Sequence, residues 1–157
     1  MFGNLNHNEI EEVLKQQIVG HLGCHADDIT YVVPISYVYD GTYIYGYTFE
    51  GMKLNMMRAN PKVCFQVDNL SNLANWQSVV TWGRFEELAD EEQRYQAIQQ
   101  LMSRHLPMIH SETMHIAPQW PFPATDTKNL KGITFRIRLE KKAGRYERSS
   151  DQHYFAT

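Results

Sequence analysis

The chain has 157 residues, 43% of them hydrophobic and 21% charged, which is ordinary globular usage and excludes a disordered chain. A net charge of −3 argues against a nucleic-acid or anionic-membrane partner held by bulk charge. No apolar run approaches the ~20 residues of a membrane span, and the opening MFGNLNHNEIEEVL lacks a charged-then-apolar signal pattern.

This length fits one domain, 1–157, able to bury enough surface without disulfides or metals. Cys24 and Cys64 stand outside any CxxC and read as reduced core thiols in a cytoplasm. Aromatic residues reach 12% and gather in β-like stretches.

In chain order, Ile10, Val13, Leu14 and Ile18 recur at helical spacing between Asn6 and Val19, with Asn6 or Asn8 as the cap. Gly20 to Cys24 reads as a short turn or strand. The β-branched and aromatic run Tyr31–Tyr39, then Asp40-Gly41, then Thr42–Tyr47 is the strongest hairpin signal in the chain. Pro34 cannot donate to a ladder, so its strand belongs at an edge, at a bulge, or facing something other than a neighbouring strand. Glu50–Ala59 predicts a short helix with Leu54 and Met57 inward, stopped by Asn60-Pro61.

Val63–Val67 and Trp76–Leu88 read as strands, the second bent at Gly83. Asp90-Glu91-Glu92-Gln93 opens a helix as a capping box, with Tyr95, Ile98, Leu101, Met102 and His105 on one face. Leu106–Asn129, with four prolines, Trp120 and Phe122, is long for an inert connection. Ile133–Leu139 alternates as a half-exposed strand, and the tail after Lys142 is polar and reads as loose at its end. Strands linked by hairpins rather than regular βαβ crossovers favour a mainly β architecture: an antiparallel barrel with attached helices.

The stretch Tyr47-Thr48-Phe49-Glu50-Gly51-Met52-Lys53 carries the chemistry. A strand ends, a hydroxyl residue caps, a glycine turns the backbone and a lysine enters the first helical turn. A lysine there opposes the helix dipole unless an anion is also present. Free amides beside it make a phosphate site. The same seven residues also fit a lysine that snorkels into solvent.

From Tyr31 to Val67 the chain reads YVVPISYVYDGTYIYGYTFEGMKLNMMRANPKVCFQV, followed by WQSVVTWGRFEEL from Trp76 to Leu88. Together these resemble the pyridoxamine 5′-phosphate oxidase-like flavoproteins, the FMN-binding split β-barrels, and within them the nitroimidazole-resistance and flavin-nucleotide-binding branch. The resemblance implies an antiparallel split β-barrel that works as a homodimer with FMN at its interface. It implies that the backbone of Val33, Pro34, Ile35 and Ser36 runs along the flavin ring. Tyr47, Thr48 and Lys53 would hold the phosphate. Ser78 would reach the phosphate, with Trp76 and Val79 near the ring, all three from the second subunit.

The implied activity is a flavin-dependent oxidoreductase acting on a small molecule with electrons from reduced nicotinamide. Met52 stands where relatives of the oxidase itself carry an arginine, and their late basic motif is missing, so oxidation of vitamin B6 is not expected. Gly46 and Tyr47 stand where several nitroimidazole-type relatives carry a histidine. A rival reading is a non-catalytic flavin or haem binding module; a third keeps the barrel and loses the cofactor.

Other motifs carry less. His21-x-x-Cys24-His25 reads as a surface turn rather than a metal site, and His105, His110 and His115 as loop residues. The Met52, Met56, Met57 group reads as helix packing. Ser71, Ser78, Ser111 and Ser149 lack any GxSxG context.

Overall fold

The structure is a computed structural model that describes residues 1–104 and 132–149. The proline-rich stretch 106–129 with Trp120, and His105, His110 and His115, lie outside the described residues.

Eight strands form one sheet in which every ladder among the described residues is antiparallel. In chain order they are β1 (Phe2–Asn4), β2 (Val19–Ala26), β3 (Ile29–Ser36), β4 (Val38–Tyr39), β5 (Tyr43–Thr48), β6 (Lys62–Asn72), β7 (Asn75–Glu87) and β8 (Ile133–Glu147). The helices are α1 (His7–Gln16), α2 (Met52–Ala59) and α3 (Glu91–Met102). Across the sheet the order is β3-β2-β6-β7-β8-β5-β4, with β1 added to β8. The sheet curls without closing: β3 and β5 approach one another across a split that no ladder bridges. This is the split β-barrel the sequence points to.

Two faces of the curled sheet bury different groups. The inner face packs Leu22, Phe65, Val67, Val79, Phe135 and Ile137 into the main core, which α1 closes with Val13 and Leu14 and α2 with Leu54, Met56 and Met57. On the other side of β5, α3 seats Ala97, Ile98 and Leu101 against Tyr45 and Leu88 in a smaller core. Tyr95, expected inward, is instead 54% exposed, because Ala97 occupies the buried face. The reciprocal capping box forms at α1, where Asn6 Oδ1 accepts from Glu9 N and Glu9 Oε1 accepts from Asn6 N. At α3, the Asp90 carboxylate accepts from Gln93 N.

Several sequence boundaries move. The run Tyr31–Tyr39 is two strands, because the Tyr37 ring turns into the core against Phe65 at 4.9 Å and its hydroxyl donates to Leu14 O at 2.7 Å. Only Val38–Tyr39 pairs across Asp40-Gly41, while Ile29–Ser36 pairs with β2. Asp40 Oδ1 anchors that turn by accepting from Thr42 N and Tyr43 N.

His21, Cys24 and His25 sit in β2 rather than in a turn, with Cys24 buried inward and both histidines exposed. The last strand runs on past Leu139: β8 continues to Glu147 between β7 and β1. Lys142 reaches back into a half-buried cluster, donating to Glu11 and to the Tyr39 hydroxyl. Burial pushes the Glu11 carboxyl up, but the hydrogen bonds from Lys142 and Tyr39 outweigh it and hold the group below the usual carboxylate range.

The β2–β3 hairpin turns on Asp27 and Asp28, both left-handed at φ 52° and 60°. A two-residue turn of that hand favours Asn-Gly. Replacing Asp28→Gly removes the Cβ at one left-handed position, and Asp27→Asn puts at the other a residue that tolerates that region. We expect a gain of about 1 kcal/mol, a rise of about 2–4 °C in Tm. A thermal melt showing no gain would mean that a neighbouring contact holds the turn.

Candidate functional site

β3 is an edge strand, which is what Pro34 requires. Alternation turns Val33 and Ile35 toward the core and leaves Pro34 and Ser36 on the outer face, opposite His21 and Val19 of β2. The side of β3 turned from β2 borders the split, so its backbone groups there are free of the ladder.

Beyond the split, β5 ends at Thr48 and the chain turns into α2. Thr48 is buried, and its Oγ1 donates to Phe49 O at 3.3 Å. Tyr47 points the other way, into the α3 cluster, where its hydroxyl accepts from Gly132 N at 2.8 Å. The α2 N-cap is Gly51, not Thr48, and no side chain caps the helix. Gly51 is fully extended at φ 172°, and a Cβ there would meet nothing nearer than Phe49 O at 4.0 Å. The expected turn role of this glycine is therefore not used. The first amides of α2 receive no side-chain cap.

Lys53 stands in that first turn, half-buried, with no hydrogen bond or ion pair among the described residues. Its charge is felt at Cys24: burial and Cys64 push that thiol up while Lys53 pulls it down. Arg58 behaves differently on the same helix, forking to Glu50 and Glu87 and pinning α2 to the end of β7. A half-buried cation thus stands beside helix amides that no side chain caps, an arrangement that suits an anion.

Across the outer face a cavity of about 420 Å³ opens beside β3. Val32, Gly23, Cys64, Trp82, Lys62 and Glu140 line it. Val32 is 61% and Trp82 41% exposed, so this face offers apolar surface to a planar ligand or to another chain. Gly23 is needed because a Cβ would meet Cys64 Sγ at 2.6 Å. Sequence reasoning missed this lining, since two glycines in β2 mask the inward alternation of Leu22, Cys24 and Ala26.

The remaining three expected residues lie elsewhere. Trp76 Nε1 donates to Glu147 at 3.1 Å, and Ser78 Oγ accepts from Gln66 at 2.9 Å, both on the outer face. Val79 is fully buried on the inner face. Ser78 is nine residues along β7 from Glu87, which holds the last turn of α2 through Arg58. At about 3.3 Å per residue that is roughly 30 Å.

Among the described residues no three metal-capable side chains converge, and no helix is long and apolar enough to cross a membrane.

Comparison with known proteins agrees with this fold. An uncharacterized protein from Rhizobium meliloti is 36% identical over 84 residues, and the match covers 54% of this chain and 56% of that protein. The chain thus spans little more than half the length of that curated relative. The crystal structure of a FAD-binding protein from Mesorhizobium loti is 33% identical, with 93% of this chain and 98% of that one covered at a TM-score of 0.72. The FAD-binding protein from Mycobacterium smegmatis shares the fold at 21% identity and a TM-score of 0.64, covering 92% of this chain and all of that one. The profile of the family described as pyridoxamine 5′-phosphate oxidase matches residues 6–142, and the chain therefore belongs to the pyridoxamine 5′-phosphate oxidase family.

Proposed function

We propose that this chain is an FMN-binding flavoprotein, a homodimer working as a flavin-dependent oxidoreductase on a small molecule. The observation that carries the reading is Lys53, a half-buried cation without a partner among the described residues, set beside uncapped helix amides. Lys53 and the α2 amides hold the phosphate, and Thr48 shapes the cradle from the end of β5. Tyr47 supports it from behind, through its bond with Gly132. The backbone of Val33, Pro34, Ile35 and Ser36 serves the ring along the split.

With Trp76 and Ser78 on the outer face of β7 and Lys53 at the start of α2, the site is built from two chains. In that site Trp76, Ser78 and Val79 of the partner subunit complete the pocket, Val79 through its backbone because its side chain is spent in the core. Exposed Val19, Val32 and Trp82 give such a dimer apolar surface to cover.

Bound there, the flavin supplies the redox chemistry, accepting a hydride from reduced nicotinamide and passing electrons to a second small molecule. The protein's part is to neutralise the phosphate, orient the ring against β3 and exclude water beneath it. Cys24 and Cys64 are both free, which suits a reducing compartment such as the cytoplasm. The relatives described as FAD-binding favour FAD as the second reading, since FAD contains the FMN phosphate that Lys53 would meet.

A visible spectrum of the purified protein, before and after addition of FMN, tests this. The expected result is a two-band flavin spectrum at one flavin per chain, on a particle eluting as a dimer. Mass analysis of the released flavin separates FMN from FAD. A single intense Soret-type band would move the assignment to haem, and no band with no uptake would overturn it.

A further inference from the structure

Arg104 follows the last turn of α3 and reaches from it to the end of the ring strand. Its Nε donates to Leu101 O at 2.7 Å, and its Nη1 donates to Ser36 Oγ and, at 3.1 Å, to Tyr37 O. Its Nη2 is buried without a hydrogen-bond partner among the described residues. Arg58, Arg136 and Arg148 each meet a glutamate, whereas no carboxylate faces Arg104 among those residues. Burial pushes its pKa down, but a guanidinium stays charged throughout the working range.

Helix capping accounts for only one arm of this side chain. A cation beside the last carbonyls of α3 is favourable, and the bond to Leu101 O supplies that. The other arm fixes a hydroxyl and a carbonyl where β3 ends, and it leaves a buried donor and a whole charge unspent. An unspent buried donor is costly to keep without a ligand.

Position adds the second reason. Lys53 stands on α2, which packs on β2, the ladder partner of β3, while Arg104 holds Ser36 at the end of β3. Two cations without a carboxylate partner among the described residues thus flank the ring strand. If Lys53 takes the phosphate, the electron-rich edge of a ring lying on β3 falls toward Arg104.

Resting on the flavoprotein reading, we propose that Arg104 is a positioning residue of the flavin site. It fixes the Ser36 end of the ring strand and sets a positive charge that favours the reduced, more negative ring over the oxidised one.

The test compares the full-length protein with Arg104→Met and Arg104→Lys, reading FMN affinity by fluorescence quenching, midpoint potential against a reference dye, and thermal melting of the apoprotein. Arg104→Met is expected to stay folded and to bind oxidised FMN about tenfold more weakly. It should lose a further tenfold in affinity for reduced FMN, a fall of about 30 mV for a two-electron couple. Arg104→Lys keeps the charge and loses the fork, so it should bind FMN more weakly at a nearly wild-type potential.

Unchanged potential in Arg104→Met overturns the proposal, whatever happens to affinity. If Arg104→Met does not fold, Arg104→Lys decides: weakened binding at the wild-type potential supports the proposal, and unchanged binding overturns it. A wild-type protein that takes up no flavin brings down the flavoprotein reading, and this proposal with it.

Discussion

Lys53→Ala should release FMN from a protein that is as stable as the wild type, or slightly more so. The expected loss of FMN affinity is on the order of 100-fold, the upper range for removing one charge-assisted hydrogen bond to a phosphate. The sign of the stability change makes the experiment sharp. Lys53 makes no hydrogen bond or ion pair among the described residues, so its truncation breaks nothing there. It also stands in the first turn of α2, where the helix dipole disfavours a cation by a few tenths of a kcal/mol.

The apoprotein melt should therefore stay level or rise while binding collapses. A surface lysine of no function would leave both unchanged, and a packing lysine would lower the melt. Stoichiometric FMN retained through chromatography in Lys53→Ala sinks the clamp assignment.

What the sequence made legible was largely what alternation and capping carry. Leu54 and Met57 are fully buried as the helical spacing required, and Ile137 and Phe135 face the core as the β8 alternation required. Of the alternatives that Pro34 left open for its strand, the edge is the one β3 takes.

The errors have a common physical origin, in strands whose identity is set by their neighbours. Residues 143–147 show no clean alternation of their own, yet they pair with β7, and Arg145–Glu147 also with β1. Gly144 makes room for Leu5 and Ile10, and Tyr146 packs against the main core. β2 was obscured in the same way, since Gly20 and Gly23 are small because Phe65 and Cys64 lie over them. Both constraints act across strands and leave no local pattern.

The site was half legible for a related reason. Thr48 and Lys53 flank the same turn, so local sequence places them together. That Tyr47 and Thr48 face opposite sides of β5 follows from strand alternation once the strand is granted. Arg104 is separated from Ser36 by 68 residues, and nothing in either segment announces the contact.

Gly83→Val should cost about 3 kcal/mol or more and lower Tm by roughly 10 °C. A Cβ on Gly83 would stand 2.2 Å from Arg138 O and 3.0 Å from Ile137 Cγ2. The closest obstacle is backbone in the adjoining strand β8, which no side-chain rotation can relieve. The position is also where the β7–β8 ladder slips, with Trp82 pairing Lys141 and Gly83 pairing Leu139, so that Glu140 is bulged out. That bulge carries Glu140 toward the outer cavity beside Trp82.

Any side chain at Gly83 must push β8 away at the point that shapes the cavity wall, so stability and flavin affinity should fall together. Gly51→Ala is the matched control. Its Cβ meets open space at 4.0 Å and its backbone is extended, so its melt should stay within about 0.5 kcal/mol of wild type. A Gly83→Val protein melting within 2–3 °C of wild type, an error of about 1 kcal/mol, would mean that the two strands are not in this register. The outer cavity would then have to be rebuilt around a different pairing of β7 with β8.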